Sequence, residues 1–316
     1  MQTFLGLDLG GTKLLIGEVD AQGNVLRSKS YVSGFLDQQA ACEVLCRSLD
    51  DYIATVGWAT GEPPQAMGVG LIGRVDPYAG IWHQIDPGRT QPVNLAEMLA
   101  ARYGLPCRID NDVKSATRAE QAWGVGKYSK DFVFINIGTG IAAGTVTGGH
   151  IVRGGHFNAG EVGHTQVGAG VGIRCVCGRT DCVEAFASGS GIDRCARFLQ
   201  RQYRTSLAIP EDGTRVQFSD VMALSQEGDP LCSFLVENAA DGIARLIMNL
   251  VRMSDPDTVV LGGGVIAQES MFEKVLARLH PSTMRFVSHG VVLTELDPRY
   301  AGLLGAAAVA MDATSH

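Results

Sequence analysis

The feature that most constrains the fold is a pattern of strands and glycine turns that occurs twice along the chain. Residues 4–26, FLGLDLGGTKLLIGEVDAQGNVL, are typical of an apolar strand, a glycine turn, a second strand, a turn and a third strand. Residues 132–152, FVFINIGTGIAAGTVTGGHIV, follow the same order. Because the glycine turns recur at nearly the same offsets, we interpret the pattern as a duplication rather than as two unrelated hairpins. It predicts two related lobes.

Between and after these units the pattern alternates strands with helices, which predicts an α/β fold in a chain of 316 residues. Asn94 and Glu97 predict a capping box that opens one helix, and Gly104 is placed to end it. The predicted helices cover residues 38–56, 94–103, 233–253, 269–279 and 301–311.

Charge and hydropathy exclude several classes of protein. The formal net charge is −7 and no basic run occurs, so nucleic acid and anionic membranes are poor partners. The first apolar stretch is interrupted by Asp8 and Lys13, unlike a signal peptide, and the apolar run 301–311 is too short to cross a bilayer. We expect a cytoplasmic protein whose eight cysteines are mostly reduced. Cys42 and Cys46 fit the apolar face of a helix as small core residues.

The segment DLGGTK has the composition of an anion-binding turn. Backbone N–H groups at Gly10, Gly11 and Thr12 can cradle a phosphate, and Lys13 adds positive charge. Asp8 would repel a phosphate, so we assign it to Mg²⁺ or to a water of that ion. The spacing is not that of a P-loop. A plain hairpin turn remains the alternative.

Two further glycine turns follow strands in the second half of the chain. Gly138, Thr139 and Gly140 predict a second phosphate loop that faces the first one across a cleft. The run Gly262, Gly263 and Gly264 would let a base or ribose approach the backbone closely. Together these turns predict a nucleotide site.

The segment IDNDVKSA carries polar side chains at a change from strand to helix. A carboxylate placed there can accept the proton of an alcohol that attacks a phosphoryl group. An amide beside it can bind a second hydroxyl. On local sequence alone, however, Asp112 is better explained as a helix cap.

Three cysteines in RCVCGRTDCVE predict a structural zinc site. Cys175, Cys177 and Cys182 supply three soft ligands, and His164 in GEVGH can complete a closed Cys₃His set. A disulfide would leave one cysteine over, and a catalytic thiol would need only one cysteine and a base. We therefore favour zinc over both alternatives.

In their order and spacing, the motifs DLGGTK, DNDVKSA, GTGI, GEVGH with CVCGRTDCVE, and DPDTVVLGGGV resemble the ROK family of repressors and sugar kinases. The resemblance covers essentially the whole chain. It implies a hexokinase/actin-like fold of two ribonuclease-H-type lobes with a cleft between them. The implied lobes are residues 1–117, with the C-terminal helix 299–316 packed back on them, and residues 118–298, with a zinc-binding loop at 161–184.

The resemblance also implies an activity: ATP-dependent phosphorylation of the terminal, 6-hydroxyl group of a hexose or N-acetylhexosamine. Asp112 matches the general base of the family, which overturns capping as its sole role. Asn111, Glu161, His164 and Glu184 match the sugar contacts. His164 then has two roles, with one ring nitrogen on zinc and the other toward a sugar hydroxyl. Asp8, Gly10–Lys13, Gly138–Gly140 and Gly262–Gly264 match the side that binds ATP and Mg²⁺.

Departures from the family pattern leave some points open. Ala142 and Ala143 replace glycines after the second phosphate loop, where their methyl groups are expected to tighten the turn. Residues 77–94 replace an asparagine-rich sugar loop, and Asp181 stands where a glycine is usual. The sugar is therefore open among glucose, fructose, N-acetylmannosamine, N-acetylglucosamine and others.

Two rival functions belong to the same family. A sugar-responsive regulator would need a DNA-binding segment ahead of the first loop, which begins here at Asp8. A sugar sensor without turnover would not need the Asn111–Asp112 pair and both phosphate loops. The resemblance also implies a homodimer.

Overall fold

The computed structural model describes residues 1–34, 37–168 and 170–314. Its strands are β1 (Thr3–Leu9), β2 (Lys13–Asp20), β3 (Val25–Val32), β4 (Met67–Leu71), β5 (Arg74–Asp76), β6 (Ile81–Gln84), β7 (Cys107–Asn111), β8 (Phe132–Ile137), β9 (Ile141–Thr147), β10 (His150–Ile151), β11 (Thr258–Gly262) and β12 (Gly290–Leu293). Its α-helices are α1 (Gln38–Thr55), α2 (Leu95–Tyr103), α3 (Asp112–Trp123), α4 (Glu184–Ala187), α5 (Gly189–Leu199), α6 (Phe218–Gln226), α7 (Pro230–Ser254), α8 (Glu269–Leu276), α9 (Pro281–Met284) and α10 (Ala301–Met311).

The described chain contains two five-stranded sheets, and the order of the strands is the same in both. The first sheet runs β3-β2-β1-β4-β7, and the second runs β10-β9-β8-β11-β12. In each, the central strand pairs antiparallel with the next strand of the chain and parallel with a later one. Counted within each sheet, the order is therefore third, second, first, fourth, fifth. This is the arrangement of two related α/β units that the repeated glycine turns predicted.

The described chain forms two compact units. The first contains residues 1–128, 151–159 and 295 onward, and the second contains residues 129–150 and 160–294. The predicted boundary at residue 117 falls inside α3, which continues without a break to Trp123. Residues 151–159 pack within the first unit although they directly follow a strand of the second sheet.

Helix α10 packs closely on the first sheet because glycines face it. A Cβ atom on Gly6 would lie 2.6 Å from the carbonyl oxygen of Leu303, and one on Gly68 would lie 2.0 Å from that of Ala306. A larger residue at either position would push the helix away from β1 or β4. This small-residue helix covers Ala301–Met311, within the range 299–316 that the resemblance implied. Residues 315 and 316 of that range lie outside the described part.

The ends of the helices show which predicted caps form. Helix α1 begins after Asp37, whose carboxylate accepts a hydrogen bond of 2.8 Å from the backbone N–H of Ala40. The capping box predicted at Asn94 is wrong: its side chain makes no cap bond and instead donates 2.9 Å to Glu97 Oε2. Gly104 ends α2 as predicted, with φ at +67°.

Helix α7 is 25 residues long and forms the centre of the second unit. It begins three residues earlier than predicted because Asp229 caps it and accepts a hydrogen bond of 3.0 Å from Cys232 N–H. Its buried face shares one core with β8 and β11. Across the described ranges, helices that combine the length and the apolar character of a membrane span are absent.

Candidate active site

The first glycine turn uses its carbonyl groups within the protein and leaves two amides unbonded. Gly10 N–H donates 2.9 Å to the carbonyl of Lys13, and Ser33 bonds the carbonyls of Gly10 and Thr12. Within the described chain, the N–H groups of Gly11 and Thr12 make no hydrogen bond. A Cβ on Gly11 would meet nothing within 4 Å, so packing does not require this glycine. Adjacent unbonded amides at an exposed turn fit an anion.

The second glycine turn repeats this arrangement. Gly138 N–H donates 3.0 Å to the carbonyl of Gly140, while the amides of Gly189 and Ser190, at the start of α5, donate to the carbonyls of Gly138 and Thr139. Among the described residues, the N–H groups of Thr139 and Gly140 have no acceptor. The duplicated sheets therefore each carry one turn with two free amides.

Ala142 and Ala143, which were expected to tighten the second turn, lie just after it. Both lie in β9, where they pair with Asn136 and Ile135 of β8. Ala143 N–H donates 2.9 Å to the carbonyl of Gly160. Their methyl groups belong to the strand that follows the turn.

The three consecutive glycines after β11 differ in what they do. Gly263 has φ at +99°, and a Cβ there would lie 2.5 Å from the carbonyl of Ile137. A Cβ on Gly262 would lie 2.9 Å from the ring of Phe134. Gly264 alone of the three is exposed with open space around it. Backbone conformation and packing thus account for Gly262 and Gly263, and neither of them requires a glycine at position 264.

Asp8 ends β1 in a setting that disfavours its charge. Burial, with a smaller effect of the Asp112 carboxylate, raises its pKa to about 6, and Lys13 acts in the opposite direction. A Cβ on Gly302, at the start of α10, would lie 2.1 Å from Asp8 Oδ2. The buried hydroxyl of Ser115 has no hydrogen-bond partner in the described chain. It lies 3.6 Å from the point where a Cβ of Gly70 would be, and Asp8 Oδ1 lies 3.8 Å from that point. A carboxylate with a nearby unpaired hydroxyl fits a hydrated divalent cation.

Asn111 and Asp112 lie at the junction of β7 and α3, as predicted, but the cap is Asn111 and not Asp112. Asn111 Oδ1 accepts hydrogen bonds of 3.1 and 3.2 Å from the N–H groups of Val113 and Lys114. Its Nδ2 donates 3.1 Å to the carbonyl of Gly73. Asn111 thus occupies the capping position, and Asp112 Oδ1 accepts a further hydrogen bond of 2.8 Å from Val113 N–H.

The four predicted zinc ligands lie together in the second unit. His164 Nδ1 is 3.3 Å from Cys175 Sγ, Cys177 Sγ is 3.5 Å from Cys182 Sγ, and all four ligand atoms lie within 4.8 Å of one another. A tetrahedral zinc with Zn–S bonds of about 2.3 Å separates its sulfur ligands by about 3.8 Å. The observed spacing therefore fits a zinc ion. Hydrogen bonds from the backbone and side chain of Arg179 lower the pKa of the Cys177 thiol to about 6.

Asp181, beside the predicted ligand Cys182, stands at the position where the family usually has a glycine. Its φ is +56°, in the left-handed region that Asp tolerates better than most residues. Its Oδ1 accepts hydrogen bonds of 2.7 and 3.2 Å from the N–H groups of Gly172 and Ile173. A Cβ on Gly170 would lie 2.0 Å from the Asp181 side chain, so Gly170 provides the space.

Glu184 joins the loop of the three cysteines to the second glycine turn. Its Oε2 accepts a hydrogen bond of 2.9 Å from Ile141 N–H, directly after the turn. Cβ atoms on Gly140 and Gly163 would lie 2.7 and 3.1 Å from the same oxygen. Glu161 is exposed and precedes the short 3-10 turn at 162–164. Because His164 presents Nδ1 to the cysteines, its Nε2 is the nitrogen available to a ligand.

Sequence reasoning missed an ion pair beside Asp112. Arg153 Nη1 lies 2.8 and 2.7 Å from the two oxygens of Asp110, which is almost fully buried. Burial raises the pKa of Asp110, and the Arg153 guanidinium acts against that rise. Lys114 Nζ donates to the carbonyl of Ala159. The charge of Asp110 next to the apolar Ile109 in a short strand was the available signal, but the separation of 43 residues hid its partner.

Comparison with known proteins agrees with the resemblance. A glucokinase of Thermotoga maritima is 28% identical over 96% of both chains. The DNA-binding regulator NagC of Escherichia coli is 26% identical over 94% of this chain and 73% of its own.

Solved structures of the same family share the fold. A ROK hexokinase of Thermus thermophilus superposes with a TM-score of 0.78 at 28% identity, covering 99% of both chains. A ROK glucokinase of Streptomyces griseus, solved with glucose and AMPPNP, gives 0.72 at 26% identity over 98% of this chain and 99% of its own. The fold is therefore that of the hexokinase/actin-like sugar kinases. A profile of the ROK family matches residues 4–313, and the chain belongs to this family.

Proposed function

We propose that this protein is an ATP-dependent sugar kinase that phosphorylates the terminal, 6-hydroxyl group of a hexose or N-acetylhexosamine. The observation that carries the proposal is the pair of glycine turns, each with two amides that have no acceptor in the described chain. Two such turns suit a polyphosphate, whose negative charges accept from backbone N–H groups. Membership of a family that includes glucokinases supplies the reaction class.

Asp112 acts as the general base. Its carboxylate accepts the proton of the sugar hydroxyl as that oxygen bonds to the γ-phosphorus of ATP, and ADP leaves with the electrons of the broken P–O bond. Asn111 takes the N-cap position, and Asp112 Oδ1 accepts a hydrogen bond of 2.8 Å from Val113 N–H at the same helix end. Mg²⁺ bound with ATP would offset the charge of the phosphates, and Asp8 is the residue that would hold it or its water.

The sugar is bound by Asn111, Glu161, His164 and Glu184. Asn111 Oδ1 is occupied by two backbone amides, and one of its two Nδ2 hydrogens is bonded to Gly73. Asn111 therefore offers a sugar hydroxyl one donor and no acceptor. Glu161 and Glu184 supply the acceptors, and His164 contributes through Nε2.

Zinc, held by His164, Cys175, Cys177 and Cys182, has a structural role. The set is closed and leaves no position for a reacting group. Its value for the reaction is indirect, since it holds the loop that ends at Glu184. The fit of the ligand spacing to tetrahedral coordination supports this proposal.

The deciding experiment is a coupled assay of ADP release over a panel of hexoses and N-acetylhexosamines. Turnover with one sugar, and none with its 6-deoxy analogue, would support both the reaction and the position of the hydroxyl. Asp112→Asn should abolish turnover and leave sugar binding measurable by calorimetry. Wild-type rates in that variant would refute the assignment of the base.

A sugar-responsive regulator is the second candidate, because NagC also matches most of this chain. A regulator or sensor would bind sugar and release no ADP in the same assay. The unbonded amides of both turns favour the kinase, since a sensor has no need of two intact phosphate loops.

The homodimer implied by the resemblance and the cytoplasmic location expected from the hydropathy pattern are part of the same proposal. An acidic surface without a basic run supports neither nucleic acid nor an anionic membrane as a partner. Light scattering of the purified protein would test the dimer, and cell fractionation would test the location.

A further inference from the structure

The segment 151–159, here called the strap, is held to the first unit by a buried ion pair. Arg153 reaches both oxygens of Asp110 with one guanidinium nitrogen, and the two side chains are only 17% and 3% exposed. The guanidinium also lies 5.8 Å from the ring centre of Tyr78. Removing either charge would leave the other buried without a partner.

The far end of the strap has its own attachments. Lys114, a buried residue of α3, donates its ammonium hydrogen to the carbonyl of Ala159. The ring of Phe157 contacts that of Tyr78, with 6.0 Å between their centres. Phe157 has φ at +60°, in the left-handed region that is unfavourable for an aromatic residue. The strap is thus fixed at both ends in one defined conformation.

The two polar attachments lie on either side of the proposed base. Asp110 precedes Asp112 by two residues, and Lys114 follows it by two. Glu161, a proposed sugar ligand, follows Ala159 by two residues, a distance that the backbone can span with about 7 Å at most. The hydrogen bond from Lys114 to Ala159 therefore fixes the chain two residues before Glu161.

We propose that Arg153 and Lys114 are positioning residues, which hold the strap so that the segment after it carries Glu161 in the conformation that sugar binding requires. This inference rests on the proposed kinase function and adds a specific task for two residues outside its site. Neither residue is required to touch the substrates.

The composition of the attachment supports a role in geometry rather than in stability. A buried ion pair contributes little net stability compared with apolar residues of similar size, because both charges lose their hydration. The two charge-assisted hydrogen bonds from Arg153 Nη1 do fix where the strap lies against Asp110. The reaction depends on such positioning, since a displacement of about 1 Å can lower a rate roughly 100-fold.

Arg108 provides a matched control. It lies on β7 two residues before Asp110, and both line one pocket of about 170 Å³ with Arg153 and Tyr78. Arg108 is exposed and forms no ion pair in the described chain. Its substitution removes a positive charge from the same pocket without affecting the strap.

The experiment compares Arg153→Met, Arg153→Lys and Lys114→Met with Arg108→Met, using the full chain and the sugar that gives turnover. We expect kcat/KM for the sugar to fall roughly 100-fold in Arg153→Met and about tenfold in Lys114→Met, with KM for ATP changed less than about twofold. Arg153→Lys should recover part of the loss, because lysine keeps the charge and loses the planar guanidinium group. Arg108→Met should match the wild type.

Wild-type sugar kinetics in Arg153→Met and Lys114→Met would overturn the inference. The inference would also fail if kcat/KM fell equally for sugar and for ATP, in proportion to the fall in melting temperature of each variant. Such a result would indicate a purely structural role. Hydrogen exchange gives a readout independent of turnover. The amides of residues 153–159 should exchange faster in Arg153→Met than in the wild type, and at the wild-type rate in Arg108→Met. If the wild type phosphorylates no sugar, the kinase proposal fails, while the exchange data still show whether Arg153 holds the strap.

Discussion

Replacing Asp8 by Asn should make the protein more stable and abolish its activity. Asp8 is largely buried at the end of β1, near the like charge of Asp112, and its pKa is raised from its ordinary value of 3.8 to about 6. The folded state therefore binds a proton at this site more tightly than the unfolded chain does. Between these two values, a rise in pH lowers the free energy of unfolding of the wild type.

The size of the effect follows from the two pKa values. Each pH unit of difference corresponds to about 1.4 kcal/mol, so ionised Asp8 lowers the stability by about 3 kcal/mol at pH 8. At pH 5 the folded state still holds most of its proton, and the same relation gives about 1.5 kcal/mol. Both values are upper limits, because the side chain keeps some contact with solvent that reduces the penalty. Asn has a similar shape and carries no charge. Asp8→Asn therefore avoids the loss of stability that comes from ionising a buried carboxylate.

Urea denaturation followed by tryptophan fluorescence suits this measurement. All three tryptophans, Trp58, Trp82 and Trp123, belong to the first unit, which also contains Asp8. The signal therefore reports the unfolding of the unit that carries the substitution. Measurements without nucleotide and Mg²⁺ avoid stabilisation of the wild type by ligand binding.

The matched control is Glu43→Gln, which removes a carboxylate from the exposed face of α1 in the same unit. Its effect on stability should be small, because the side chain is exposed. The reasoning fails if Asp8→Asn is no more stable than the wild type at pH 8. It also fails if its advantage does not shrink between pH 8 and pH 5. Retained kinase activity in Asp8→Asn would separately refute the role of Asp8 toward Mg²⁺.

Three further substitutions test the turns and the zinc loop. Gly11→Ala should leave the melting temperature unchanged, because its methyl group meets no atom within 4 Å, and should raise KM for ATP about tenfold or more. Gly140→Ala should lower the affinity for both substrates, as measured by titration calorimetry. Its methyl group would lie 2.7 Å from Glu184 Oε2 and displace that carboxylate. Asp181→Gly should release zinc faster to a chromogenic chelator. The loss of two hydrogen bonds, about 1 kcal/mol each, outweighs the relief at a φ of +56°. Unchanged zinc release in that variant would contradict this explanation of Asp181.

The sequence alone determined the features that depend on local chemistry or on strict spacing. The two glycine turns predicted two related α/β units, because a strand that ends in glycines leaves a recognisable pattern wherever it occurs. Cys175, Cys177, Cys182 and His164 predicted one cluster, since soft ligands at short spacing have few other uses. The family resemblance and the α/β class both followed from such short motifs.

Only the tertiary structure decided the assignments that depend on distant partners. The cap of α3 belongs to Asn111 rather than Asp112, a choice that depends on side-chain direction and that either residue type allowed. Gly6 and Gly68 are required by α10, which lies more than 200 residues further along the chain. The contacts of Glu184 with Ile141 and of Arg153 with Asp110 join residues 43 apart in each case. Sequence periodicity reports the neighbours of a residue within its own helix or strand, and it carries no record of which distant side chain fills the space opposite.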